Sequence, residues 1–437
     1  MSTQLTTPVN RQSVEALSRS KGEPDWLAQR RVKGAELAET LEWPKPEKTR
    51  IDRWNLNAIG AFKPQSPVAS AADLPESVRS LSGEASAGLI VQRNSGVVHQ
   101  QLSPELQAKG ILFTDLETAS REHAELVQKY LNTVVAQDEN KLTALHSAVW
   151  SGGVFIYIPK NVEVELPLQA LFHSDDAEAS FSRHVLIVAD SHSRVTYVEN
   201  AASDYSAAAE PQALVQQAVV EVIVKPGAHV RFATVHHMGD NVVDMTIRRA
   251  LIENDGRMEW IVGDMNEGHT LSDTRSLLKG NGSTSDAKAI SIGKNKQQMS
   301  LTTGAVHFGR NSESEMVTRA VMKDQATAII NGITKIEKGA TKANGQQMEK
   351  VLMLSPKARG DANPILLIDE DDVKAGHAAS VGQVNPEQVY YLMSRGISKQ
   401  EAERLIIHGF LAPTVSEIPV KAVRDQLQQL LERKLEI

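Results

Sequence analysis

From Val154 to about Ile368, apolar residues recur at every second position, in short runs such as Val154–Ile158, Val185–Val188, Val195–Val198, Val219–Val224, Val230–Val235 and Met258–Val262. A period of two sends alternate side chains to opposite faces of an extended chain, so this region predicts short β-strands. Turn residues separate them at Pro226-Gly227, Asp255-Gly256 and Asn281-Gly282. These turns recur at intervals of roughly 25–30 residues with no helical pattern between them, which suits a coiled parallel solenoid whose rungs bury their apolar faces on one another. An ordinary antiparallel sandwich would satisfy the same alternation, and the spacing alone leaves the two open.

The period changes on either side. Residues 1–21 are polar and are expected to be mobile. Residues 22–150 predict a mainly helical region. Pro24 opens a helix carrying Trp26, Leu27, Leu37 and Leu41 that stops at Trp43-Pro44-Lys45-Pro46, and a proline-rich surface connection follows at 63–77. Between Asp115 and Trp150 one helical face carries Val127, Tyr130 and Leu131, and another carries Leu142, Leu145, His146 and Val149. The β-core is expected over 151–375 and a helical domain over 376–437. In that last part Asn385 caps, Pro386 fills the first turn, and Gly396 stops the helix after Arg395. Ser398 to Glu401 reads as a capping box, followed by an apolar stripe of Ala402, Leu405, Ile406 and Phe410. The final segment places Val420, Val423, Leu427, Leu430 and Leu431 on one face, with Arg424, Glu432 and Lys434 elsewhere.

Composition narrows the picture. Of the 437 residues, 41% are hydrophobic but only 4% aromatic, so the core must be built from Val, Ile, Leu, Ala and Met. The formal charge of −7 is spread without a basic face, which removes nucleic acid as an expected partner. No run approaches the roughly 18 apolar residues of a membrane span, and the first residues do not resemble a secretion signal, so a soluble cytoplasmic protein is expected. The chain has no cysteine. Disulfides, thiolate-bound zinc and cysteine nucleophiles are therefore excluded, and a reducing compartment is compatible. Phosphate-loop, His-Glu-x-x-His and Gly-x-Ser-x-Gly patterns are absent, so an enzyme is not expected.

Several histidines invite a chemical reading. His236-His237 with Asp240 and Asp244 has the composition of a metal site, but neighbours in a strand face opposite ways, so a structural role is favoured. His229 and His307 are read as rung or surface residues, and the acidic run Asp369–Asp372 as a solvated turn. His377 stands apart. It lies in a predicted loop among Ala375, Gly376, Ala378 and Ala379, which are too small to cover its ring, and such flanks allow close approach of a second chain.

That segment, Asp369–Phe410, resembles the C-terminal junction of the SufB/SufD family of iron–sulfur cluster assembly scaffolds. The resemblance extends to Asn140–Gln169, to Asn331–Leu354, and to GEPDWLAQRR at Gly22–Arg31 with Trp54 downstream. It implies a right-handed parallel β-helix core flanked by helical regions, in a non-catalytic subunit working beside a SufB-like protein and the ABC-type ATPase SufC. It also implies that His377, with Lys374 and Gly376, lies at the interface with the SufB-like partner where a nascent cluster forms. The C-terminal helices would dock SufC through Arg395, Gly396, Lys399, Glu403, Arg404, Phe410 and Leu411, around an apolar centre near Leu411 and Pro413. Family members often carry cysteine where this chain has Ala375, which leaves His377 as the one neutral-nitrogen ligand of the loop. The isolated chain is thus expected to hold no cofactor, and His377 to serve as a metal ligand shared with the partner around a transient cluster. Self-pairing into a homodimer through the same surface is compatible with the family's internal likeness. The rival reading is a carbohydrate-active lyase or hydrolase on a β-solenoid. It lacks aromatic platforms, since three of the five Trp (Trp26, Trp43, Trp54) precede the β region.

Overall fold

Side-chain alternation along each extended run decides the architecture of the computed structural model, which describes residues 9–70, 73–74, 76–79, 86–204, 214–418 and 421–435. Three short strands begin it: β1 (Gly88–Arg93), β2 (Gly96–Leu102) and β3 (Leu112–Thr114). Eight turns of chain follow, each giving one strand to either of two facing sheets. They are β4 (Val154–Ile158) with β5 (Leu168–Ser174), β6 (Ser182–Ala189) with β7 (Arg194–Ser203), β8 (Leu214–Val224) with β9 (His229–His237), and β10 (Val242–Ile252) with β11 (Arg257–Asp264). Then come β12 (Thr270–Leu278) with β13 (Thr284–Gly293), β14 (Gln298–His307) with β15 (Glu313–Met322), β16 (Thr327–Ile336) with β17 (Asn344–Met353), and β18 (Arg359–Ile368) with β19 (Lys374–Gln383). One sheet runs β19-β17-β15-β13-β11-β9-β7-β5-β1-β2 and the other β18-β16-β14-β12-β10-β8-β6-β4-β3. From β4 onward every neighbouring pair is parallel, for example β10 with β12 and β15 with β17. This is a parallel β-solenoid, and the sandwich alternative is set aside.

Turn chemistry keeps the rungs aligned. Asp255 and Asn311 hold φ of 55° and 54°, the left-handed region that Asn and Asp tolerate best after glycine. Side chains stitch successive turns together: the Asn281 N–H donates to Asn254 Oδ1 at 2.8 Å, and the Arg310 N–H donates to Asn281 Oδ1 at 2.8 Å. Because the register does not slip, equivalent positions form rows down the lumen. One row stacks Tyr197, Phe232 and Trp260, with ring centroids 5.2 and 5.1 Å apart. It continues in register through Ala287, Met316 and Gln347 to His377.

The N-terminal region is more ordered and less purely helical than expected. Residues 11–20 form α1 (Arg11–Ser20), started by an Asn10–Ser13 capping box and anchored by buried Val14. Strands β1 to β3 extend both sheets, where mainly helix was expected. Helix α2 (Asp25–Thr40) starts after Pro24, as read from the sequence. The short helices α3 (Glu76–Arg79), α4 (Pro104–Ala108), α5 (Leu116–Glu122) and α6 (Ala124–Tyr130) precede α7 (Lys141–Val149). Part of the 63–77 connection lies outside the described residues. Helix α7 is tied to the solenoid by a buried chain of groups: His146 Nε2 lies 3.2 Å from His184 Nδ1, and His184 Nε2 lies 3.0 Å from Glu221 Oε2.

The C-terminal helices are α8 (Pro386–Ser394), α9 (Lys399–Val415) and α10 (Lys421–Leu435). They do not stand apart from the core. Ile407, Leu411, Val415, Val423, Leu427, Leu430 and Leu431 pack on Val198, Val235, Ile261, Ile290 and Val321, the outer face of the odd-numbered sheet. Each such buried aliphatic side chain contributes about 1.5–3 kcal/mol. The stripe on α9 is displaced from the expected one, since Leu405 is exposed and Ile407 buried. Lys434, expected to face solvent, is buried. Val420 lies outside the described residues.

Candidate functional site

His377 lies in a strand. The run expected to be a loop pairs with β17 along its whole length, from Asn344 with Lys374 to Met353 with Gln383, so the core extends to Gln383. Among the described residues nothing pairs with the other edge of β19, which is the last strand of its sheet. The lumen-facing positions of β17 are Gly345, Gln347, Glu349 and Val351, the buried members of its alternation. In a parallel ladder their partners Ala375, His377, Ala379 and Val381 face the same way. His377, Ala379 and Val381 are nevertheless exposed, because no further rung closes the end of the lumen. Ile368 at the end of β18, in register with the lumen-facing Leu278, His307 and Ile336, is exposed for the same reason, whereas the exposed Leu367 faces the outside of its sheet. The His377 ring makes no hydrogen bond to another described residue and is free to meet a second chain.

Lys374 starts the strand, its N–H donating to the Ala343 carbonyl and its side chain exposed. Gly376 faces the outside of the sheet, where a Cβ would come within 2.5 Å of Gln346 Oε1. The acidic run forms the turn between β18 and β19. Glu370 accepts the Gly339 N–H at 2.8 Å and the Asp371 N–H at 3.0 Å, and these backbone donors hold its carboxyl below the usual range. That is the structural role read from the sequence.

The residues expected to dock an ATPase divide in two. Asn385 caps α8 by accepting the Glu387 N–H at 2.8 Å, and Gly396 takes a φ of +86° at its end. Ser398 caps α9 through the Glu401 N–H, while the Glu401 carboxylate pairs with Arg404 at 2.9 Å. Lys399 lies 3.8 Å from Glu403, and Arg395 lies over the Tyr391 ring. These polar groups are at the surface. Leu411 is not: it is buried against the sheet and cannot centre an exposed contact, whereas Phe410 is half-buried beside Arg319 and Pro413 is exposed. The exposed large apolar side chains described on these helices are Tyr390, Tyr391, Met393 and Leu405, with Tyr390 73% exposed. Tyr390 and Tyr391 were not singled out from the sequence.

Inside the solenoid, His236 sits fully buried in a polar centre, whereas His237 on the opposite face is half-buried, as strand alternation requires. Arg183 Nη2 and Arg248 Nη2 approach His236 Nε2 at 2.9 and 3.1 Å. Guanidinium groups only donate, so Nε2 must carry the lone pair, and Nδ1–H donates to Asp244 Oδ2 at 2.7 Å. Burial opposes ionisation of Glu199, but its surroundings, the Arg183 and Arg248 guanidiniums among them, outweigh it and bring its carboxyl down to about 2. His236, Asp244 and Asp264 offer atoms within 4.8 Å of one another, a metal-like grouping. Yet Asp244 Oδ1 already accepts from Gln216 and Thr246, and Oδ2 from His236 and Asn266. With those lone pairs taken, the centre is structural. His229 pairs with Glu259 at 3.0 Å, and His307 is held between Ser312 and Ser314 at 2.8 Å each, so both are rung residues too.

A cysteine-free parallel solenoid with an open terminal rung, an uncovered histidine on it and exposed aromatic residues on the following helices has the features of a scaffold built to meet other chains. The chain belongs to the SufBD family of iron–sulfur cluster assembly proteins: residues 172–410 match the family model described as the SUF system FeS cluster assembly, SufBD core domain, and residues 82–170 match the SufBD N-terminal region. It is 46% identical over 98% of its length, and 98% of the relative's, to the iron–sulfur cluster assembly protein SufD of Bacillus subtilis. It is 32% identical to SufBD family proteins of Staphylococcus saprophyticus and Staphylococcus haemolyticus, over 93% of this chain and 89% of each of theirs. These relationships place it in the SUF system, on the SufD side of the family. Among the described residues no helix is long and apolar enough to cross a membrane.

Proposed function

We propose that this chain is the non-catalytic scaffold subunit of a complex in which a SufB-like protein pairs with the β19 edge and the SufC ATPase docks on α8 and α9. The observation that carries the reading is the unpaired β19 edge with His377 uncovered on its lumen-facing side. His377 supplies one nitrogen to a site whose thiolates and sulfide come from the partner, since iron–sulfur clusters are held mainly by thiolates and this chain has none. The cluster is cargo, assembled in the complex and passed on. Tyr390, Tyr391, Met393 and Leu405 form the apolar part of the ATPase contact, and Arg395, Lys399, Glu403 and Arg404 its polar rim. ATP binding on the docked subunit then moves the interface and opens or assembles the cluster site. In isolation, two copies pair through the same edge.

Co-expression with the SufB and SufC homologues of the same source, purification on a tag carried by this chain, and light scattering after size exclusion test the reading. A stable complex that loses cluster assembly with His377→Ala is the expected result. Unchanged assembly by that variant would remove His377 from the site. Retention of the ATPase by a chain truncated after Gly382 would remove the helices from the contact. The carbohydrate-active reading has no support from the family.

A further inference from the structure

The row that ends at His377 has a neighbour on the same face of its sheet, running in register from Thr318 through Glu349 to Ala379. Glu349 therefore lies one rung beneath β19, and one lumen-facing position along from Gln347, the partner of His377. Rungs stand about 4.8 Å apart and same-face positions about 6.7 Å apart along a strand, so the Glu349 and His377 Cα atoms are separated by about 8 Å with both side chains on one face. A carboxylate and an imidazole can close that gap on one ion at ligand distances of about 2.0–2.2 Å.

The site is built for a group that is not part of this chain. Glu349 is 1% exposed and Gln347 3% exposed. Among the described residues, Glu349 Oε2 and Gln347 Nε2 nevertheless have no hydrogen-bond partner. A buried carboxylate left in that state is costly unless a cation or a proton meets it. Gly332 on the facing sheet makes room for the carboxylate itself, since a Cβ there would stand 1.8 Å from Glu349 Oε1 and 3.3 Å from Gln347 Oε1. Thr334 Oγ1 donates to Gln347 Oε1 at 3.0 Å and fixes that amide. Gly332, Thr334, Gln347 and Glu349 all belong to the Asn331–Leu354 run singled out from the sequence, and the proposed function leaves them without a role. The interior centre at Asp244 differs, since its oxygens are already saturated.

We propose that Glu349 and His377 are two ligands of a ferrous site at the open end of the lumen, where one carboxylate, one imidazole nitrogen and water hold the ion before a partner's thiolates complete its shell. This deepens the reading of His377 as an interface ligand and rests on it. A mixed oxygen and nitrogen set with open positions suits divalent iron. It also binds more weakly than a thiolate set, which favours hand-over.

The test uses the full chain without a purification tag, titrated anaerobically with Co2+ and followed by its visible d–d absorption, with no cysteine present to contribute a sulfur charge-transfer band. One bound ion is expected, weakened about tenfold or more by His377→Ala and by Glu349→Gln. Glu349→Asp, which keeps the carboxylate, should restore part of the affinity, and Asp371→Asn in the neighbouring turn should leave it unchanged. Thermal melts check that each variant is folded. Absence of Co2+ absorption up to millimolar metal, or a folded Glu349→Gln chain that binds as the parent does, overturns the site. In the reconstituted complex, assembly lost with His377→Ala but intact with Glu349→Gln sinks the ferrous site and keeps the interface reading. Assembly intact in both sinks the two together.

Discussion

Lys434 Nζ, near the end of α10, donates to the carbonyl oxygen of Ile292 at 2.9 Å, and donates also to the carbonyl of Asn266. Its side chain is 2% exposed. A neutral amine has two N–H groups to give, and both are taken.

Burial pushes the Lys434 amine down to about 7 from its ordinary 10.5, against the pull of Glu267 and with the help of Lys294. Between those two values the unfolded chain binds the extra proton and the folded chain does not, so stability rises as pH is raised from 7 toward 10.5. Melting temperatures of the parent and Lys434→Met, compared between pH 6.5 and 9.5, should show the parent gaining on the variant as pH rises. A constant difference would mean that the amine stays charged in its seam.

Asp244 accepts four hydrogen bonds inside the solenoid, from Gln216, Thr246, His236 and Asn266. Asp244→Asn turns one accepting oxygen into a donor, facing either His236 and Asn266 or Gln216 and Thr246. A loss of about 3–5 kcal/mol is expected, as for breaking a buried ion pair. Urea unfolding followed by circular dichroism measures it, and a loss below about 1 kcal/mol would show that the centre rearranges freely.

Val381 on β19 touches solvent at the open end, so Val381→Asp should shift the stability of the isolated chain by no more than about 0.5 kcal/mol. The same change puts an unpaired charge into the proposed interface with the SufB-like protein. Co-purification of that partner is expected to fall sharply while the melting curve stays in place. Undiminished recovery would direct attention to another edge.

Tyr391 is exposed on α8 and lies under Arg395. Tyr391→Ala is expected to weaken capture of the ATPase by about 1–2 kcal/mol, the range of an aromatic anchor in a protein contact. Titration calorimetry with purified SufC reads this directly. Binding equal to that of the parent would move the contact off this helix.

Much of this molecule was legible because local signals and tertiary demands agree. Alternation from Val154 onward, turn residues such as Asp255 and Gly282, and the caps at Asn385 and Ser398 all acquire the geometry their chemistry favours. Parity in a strand correctly separated His236 from His237. The misses share a cause. Ala375, Gly376, Ala378 and Ala379 have poor strand propensity, so β19 is imposed by the preceding rung, a long-range influence that a local window does not contain. Helix α9 turns its buried face by a residue or two because the sheet, absent from any helical period, decides which side is covered. Lys434 was read as solvated because the carbonyls that receive it lie far away in the chain, at Asn266 and Ile292. At the candidate site, small flanking residues marked His377 as uncovered, but its rung partners Gln347 and Glu349 become its neighbours only through the register of the solenoid.

An open terminal rung has a consequence for supply. A solenoid stops where the chain ceases to provide coils, while its last strand keeps the capacity to template another. Copies made in excess of the proposed partner would each carry an adhesive end, and end-to-end stacking would compete with the proposed pairing. Matched synthesis of the two chains would then act as a protective cap in time, doing for this edge what a covering helix does in proteins that live alone.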